Sequence, residues 1–128
     1  MGSLPDTAAE LLEGAKVMAH VATSVDDRPH VAPVWYRYEE GTIEIVTTGT
    51  KLRNMRENPR VALSIQKDRE GDTEWFVSVL GTATIVEDEA ATRRATERIN
   101  RKYDAPADAW AENTLVRIDI GSMTYREY

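Results

Sequence analysis

The sequence predicts a mainly β fold, a small six-stranded antiparallel β-barrel with helical decorations, and three observations predict it. Six runs rich in Val, Ile and aromatic residues alternate with short polar turns, which makes most sequence neighbours antiparallel neighbours in space. Helical spacing interrupts that pattern in only three places. At 128 residues the chain can bury one closed core, and with no repeat, linker or low-complexity tract it reads as a single domain over residues 1–128. Closing the sheet on itself would remove the exposed edges an open sheet leaves.

Ser3-Leu4-Pro5-Asp6, followed by Ala8, Ala9, Leu11 and Leu12, opens a short helix with Ser3 or Asp6 as cap, Pro in the first turn and a stop near Glu13 at Gly14. From Lys16 to Ser24, apolar residues fall on both faces, as in a strand covered on both sides. Val25-Asp26-Asp27-Arg28 turns the chain into a second strand, His30 to Tyr38, opened by Pro29. Glu39-Glu40-Gly41 turns it again into a third, Thr42 to Thr48, completing a meander. Thr50 then caps a helix in which Leu52 and Met55 share one face and which Pro59 stops. A strand from Arg60 to Gln66 and a loop from Lys67 to Asp72 lead into the longest strand, Trp75 to Val86, where Gly81 marks a bulge or bend. Asp88 caps a helix from Glu89 to about Lys102 whose Ala-rich apolar face fits against a sheet rather than inside it. Asp104-Ala105-Pro106 breaks that helix, a short segment surrounds Trp110, and Leu115 to Tyr125 is the last strand.

Charge and composition then narrow the function. Sixteen Lys and Arg oppose 22 Asp and Glu, so the net charge of −6 disfavours broad contact with nucleic acid or an anionic membrane. The absence of Cys excludes disulfides, thiolate catalysis, iron–sulfur clusters and Cys-based zinc sites. No apolar run approaches the roughly 18–20 residues that cross a bilayer, and the N-terminus has no secretory pattern, so a cytoplasmic protein is expected.

One segment departs from the acidic background. In KLRNMRENPR, residues 51–60, Lys51, Arg53, Arg56 and Arg60 oppose Glu57 alone, a local +3 that leaves −9 on the rest of the chain. A basic helix start after a strand suits a small anion, because free backbone N–H groups and the helix dipole add to the side-chain charge. Thr47, Thr48 and Thr50 bring hydroxyls to the same place, and phosphate is the natural ligand. Lys51, in the first turn, is the residue expected to bind it, whereas Arg53 and Arg56 read as solvated surface charge. Neither G-x-x-x-x-G-K-[ST] nor G-x-G-x-x-G is present, which removes a P-loop and a dinucleotide fold.

These residues carry a family likeness. Ala32-Pro33-Val34-Trp35, Val46-Thr47-Thr48 and Lys51-x-x-Asn54-Met55-x-x-Asn58-Pro59-Arg60-Val61-Ala62-Leu63 together resemble the flavin-binding split-barrel superfamily, which includes pyridoxamine 5'-phosphate oxidases and relatives that use the deazaflavin F420. The likeness spans about residues 8–125 and implies a dimer with a flavin in each of two interfacial grooves. It implies that Lys51 holds the cofactor phosphate, that Val46, Thr47 and Thr48 border it, and that Ala32, Pro33, Val34 and Trp35 run along the ring. It also implies that Trp75, Phe76 and Ser78 approach from the other subunit. FMN and F420 both fit the likeness. Ala32 stands near where the oxidases of vitamin B6 carry arginine, and their longer C-terminal tail is not seen after Tyr128, so B6 oxidation is not expected.

The expected function is therefore hydride transfer between FMN or F420 and a small organic substrate in a homodimer, with a non-catalytic flavin or haem carrier or sensor as the alternative. No catalytic side chain is assigned and no metal is expected. A two-residue Asp26-Asp27 turn places His20 opposite Pro33 and His30 opposite Thr23, so the two histidines do not pair, and His20 reads as a hydrogen-bonded histidine on a half-buried strand. Ser24, Ser64, Ser78 and Ser122 lack the G-x-S-x-G context of a nucleophile elbow.

Overall fold

The computed structural model describes residues 5–128, so the expected Ser3 cap lies outside the described residues. Its elements in chain order are α1 (Asp6–Gly14), β1 (Ala19–Val25), β2 (Arg28–Val34), β3 (Arg37–Glu39), β4 (Thr42–Thr47), α2 (Gly49–Glu57), β5 (Arg60–Arg69), β6 (Asp72–Val86), α3 (Glu89–Lys102) and β7 (Thr114–Glu127). The strands form one antiparallel sheet in the order β2-β1-β5-β6-β7-β4-β3.

The expected strand from His30 to Tyr38 is two strands, and they sit at opposite edges of this sheet. The break has a physical cause at Tyr36. Its ring is fully buried, its hydroxyl donates to the Leu12 carbonyl at 2.8 Å, and its backbone N–H donates to the Tyr103 hydroxyl at 3.3 Å instead of to a strand. Val34 and Arg37 are three residues apart, at most about 11 Å along the chain. The two edges therefore come close without pairing, so the sheet curls into the split barrel that the family likeness implies, with seven strands rather than six, and the meander is two separate hairpins. Pro29 and Pro33 are tolerated because β2 is an edge strand.

Turn chemistry sets the hairpins. Asp26 and Asp27 (φ 51° and 60°), Glu40 and Gly41 (45° and 85°), and Glu70 and Gly71 (50° and 90°) all occupy left-handed backbone, the conformation that matches strand twist in two-residue turns. His20 pairs with Pro33 and His30 with Thr23, as the Asp26-Asp27 turn requires, although His20 is exposed rather than half-buried. The expected loop from Lys67 to Asp72 is mostly strand, because β5 and β6 continue to the Glu70-Gly71 turn past an irregularity at Lys67/Asp68. The bulge expected at Gly81 is present as a register shift between Leu80 and Gly81. There the backbones approach so closely that a Cβ would stand 2.7 Å from the Asp119 carbonyl oxygen.

Inward residues of the sheet, with Val21, Ile43, Ile45, Leu63, Ile65, Val77 and Ile118 among them, make the main core together with Tyr36 from the β2–β3 break. The helix α1 adds Ala8 and Leu12 to that core, and α2 adds Met55 with Leu52 against it. Pro5 rather than Asp6 is the N-cap of α1, and no side chain caps it. The helix α3 lies on the outer face, where Ala91, Ala95 and Ile99 cover Val46 and Leu115 in a second cluster. Asp88 caps it by accepting from the Ala91 N–H at 2.9 Å.

Candidate binding cavity

Between the ends of β2 and β4, the start of α2 and the segment after α3 is a cavity of about 280 Å³. Seven of the residues expected from the sequence meet there: Pro33, Val34 and Trp35 from the end of β2, Val46, Thr47 and Thr48 from the end of β4, and Lys51 from α2. The chain turns from β4 into α2 through Gly49, whose φ of +73° is left-handed backbone that favours glycine. Thr48, not Thr50, is the N-cap, and its hydroxyl makes no capping bond, so the first N–H groups of α2 have no side-chain acceptor. Thr50 instead accepts from Arg53 Nη2 at 3.0 Å.

The basic segment sorts itself. Arg56 pairs with Glu87 at 3.3 Å, and Arg53 and Arg60 are exposed. Among the described residues Lys51 has no ion-pair partner, and it is the only titratable side chain lining the cavity. Asn54 and Asn58 serve the fold: Asn54 Nδ2 donates to Thr23 Oγ1 at 2.9 Å, and Asn58 Nδ2 donates to the Ser24 carbonyl at 2.9 Å. These bonds hold α2 against β1 and so fix the place of Lys51.

Two aromatic residues, Trp35 and Trp110, also line the cavity. Trp35 stacks on Tyr103 with centroids 4.6 Å apart and an interplanar angle of 4°, and Trp110 meets Trp35 edge-on at 6.0 Å. Tyr103 is anchored by donating to the Val17 carbonyl at 2.7 Å, and burial pushes its hydroxyl up to about 12. Lys102 lies 3.5 Å above the Tyr36 ring and donates to the Leu12 carbonyl at 2.9 Å; burial first, then Arg37, pulls its ammonium down to about 8, against the smaller opposing pull of Glu13.

Four expected site residues do not line this cavity: Ala32, Trp75, Phe76 and Ser78. Trp75 is a core residue, 4 % exposed, so its indole points into the barrel and not toward a groove. Ser78 is exposed on the opposite face of its strand, in a cross-strand row that runs Pro33, His20, Ser64, Ser78. Met18, Ile99, Trp110 and Asn113 line the cavity without having been expected. Trp110 had one signal in the sequence, a lone large apolar residue within the polar PADAWAENT stretch. The other three had none: Ile99 and Asn113 reach it through the packing of α3 and the 105–113 segment, and Met18 lies just before β1.

No helix among the described residues is long and apolar enough to cross a membrane. No curated protein matches the sequence. Among solved structures, the chain is similar to an FAD-binding protein from Mesorhizobium loti, at 22% identity over 98% of this chain and 96% of that one, TM-score 0.74. It is similar to an F420 reductase at 25% identity over 90% and 94%, TM-score 0.71. A conserved hypothetical protein from Mycobacterium tuberculosis superposes with TM-score 0.82 at 24% identity, over 98% of this chain and 85% of that one. The pyridoxamine 5'-phosphate oxidase family model matches residues 5–127. With that match across nearly its whole length and the split barrel those structures share, the chain belongs to the pyridoxamine 5'-phosphate oxidase family.

Proposed function

We propose that the cavity holds the phosphate end of FMN, or of the deazaflavin F420, and that the protein transfers hydride between this cofactor and a small organic substrate. The observation that carries the reading is the cavity's polarity. A lone cation and an uncapped helix start line the cavity together with apolar and aromatic side chains, a combination that suits a phosphate carried on a planar ring system. Lys51, with Thr47 and Thr48, would hold the phosphate, and Val34, Val46 and Trp35 would lie toward the ring. A bound flavin supplies the hydride and electron transfer itself, which suits a site with no acid–base pair. The names of two similar structures, an FAD-binding protein and an F420 reductase, favour this cofactor class.

The same reading includes a homodimer. Pro33 belongs both to the cavity and to the outer sheet face, where Val31 and Leu80, 64% and 62% exposed, are the ends of an apolar row Val31, Ala22, Ala62, Leu80. A second copy on that face buries the row, borders the cavity beside Pro33, and brings its own Phe76 and Ser78 to the same surface.

Visible spectra of the purified protein after separate additions of FMN and F420 test the cofactor. A shifted, saturable band with one of them is the expected result, and no uptake of either contradicts the reading. Stopped-flow reduction and reoxidation then separate an enzyme from a carrier: a cofactor that no donor reduces on the protein contradicts turnover.

A further inference from the structure

We infer that Trp110 is the ring-contacting wall of the cavity and that Asn100 is the residue that positions it, an assignment that rests on the flavin reading above. Trp110 has a backbone φ of 60°, left-handed geometry that costs free energy for a bulky side chain and that a glycine would adopt without strain. Burial does not repay that cost, because the residue remains 55% exposed and belongs to neither apolar cluster. Its contacts are instead with the cavity: it lines the same space as Lys51 and meets Trp35 edge-on. A strained, half-exposed indole at the mouth of a cavity is better explained by what the cavity receives than by the fold.

The segment that carries Trp110 is held from beneath. Asn100, on α3 and fully buried, donates through Nδ2 to the Ala107 carbonyl at 3.1 Å and the Ala109 carbonyl at 2.8 Å, while its backbone carbonyl accepts from the Ala105 N–H at 2.8 Å. Three bonds from one residue thus fix both the start of the segment and the residue just before Trp110. On the far side, the Asn113 N–H donates to the Trp110 carbonyl at 3.0 Å. The left-handed residue is clamped from both directions, and its ring is presented as a fixed aromatic surface with little entropy left to lose on binding a planar ligand.

Fluorescence titrations of the full-length protein with riboflavin and with FMN test this, using the wild type, Trp110→Gly, Asn100→Ala and the double variant. Trp110→Gly relaxes its own backbone and is expected to fold with unchanged or raised thermal stability, while both ligands lose affinity by the same factor, about 3- to 10-fold. An equal factor for the two ligands places the contact on the ring, since riboflavin lacks the phosphate. Asn100→Ala is expected to produce a similar loss that the double variant does not deepen, as for residues acting through one contact. Additive losses overturn the positioning role. If Asn100→Ala fails to fold, Trp110→Gly still decides the wall. Wild-type binding with Trp110→Gly affinity unchanged for both ligands overturns the inference while the cofactor reading stands. A wild type that binds neither ligand nor F420 overturns both.

Discussion

Two single residues show how local chemistry shapes this molecule. Gly81 sits where β6 and β7 press together, and a Cβ there would lie 2.7 Å from a backbone oxygen of Asp119 and 2.9 Å from Ile118 Cγ2. Backbone cannot retreat cheaply, so Gly81→Ala is expected to lower stability by about 1–3 kcal/mol in urea denaturation. Lys102 gives a pH dependence. Its folded value of about 8 lies below its ordinary value of 10.5, so between these values the unfolded chain binds the proton that the folded chain has released. Stability contributed by this residue therefore rises with pH from about 8 to 10.5 and is lowest below 8, where a charged ammonium is buried. Denaturation of wild type and Lys102→Met at several pH values checks it, with the wild type gaining on the variant across that window; Tyr36 and Tyr103 are present in both and cancel. The place of Lys51 beside the threonines at a helix start was legible in the sequence because it is a local pattern, and the structure puts it in the wall of the cavity. Lys102 was not, because its burial depends on Tyr36 and Leu12, which are distant in sequence.

At the level of elements, the sequence spoke clearly where turn residues and periodicity acted alone and less clearly where a tertiary contact overrode them. The helices at 49–57 and 89–102, the bulge at Gly81 and the Asp26-Asp27 register all follow from local signals. The run from His30 to Tyr38 has uninterrupted strand character, yet Tyr36 leaves the ladder because α1 supplies a buried carbonyl for its hydroxyl and Tyr103 supplies an acceptor for its N–H. Splitting the strand in this way creates the cavity, since Trp35 stands in the gap between β2 and β3. The helix α1 is thus part of what shapes the site. Leu12 is its fully buried anchor, and Leu12→Ala is expected to cost about 2–5 kcal/mol, read as a lowered urea midpoint.

For the whole molecule, the split barrel determines which surfaces remain free. One part of the outer face is covered by α3, and another carries the Val31, Ala22, Ala62, Leu80 row, whose ends Val31 and Leu80 are exposed among the described residues. If the proposed dimer forms through this face, placing a charge there by Leu80→Lys is expected to give a monomer in sedimentation velocity, and a wild-type monomer at every concentration contradicts the proposal. The charge distribution has the same logic at this scale. A chain at −6 repels polyanions as a whole, while the one unpaired cation at the cavity can hold a single phosphate. That contact is the centre of the account, and comparing FMN with riboflavin on wild type and Lys51→Ala tests it most directly. Where FMN is the cofactor taken up, it is expected to bind wild type more tightly than riboflavin, Lys51→Ala to weaken it by about 1.5–3 kcal/mol and riboflavin affinity to stay the same; where F420 is taken up instead, Lys51→Ala is expected to weaken F420 by the same amount. Equal affinity of the two ligands for wild type, unchanged in the variant, would contradict it.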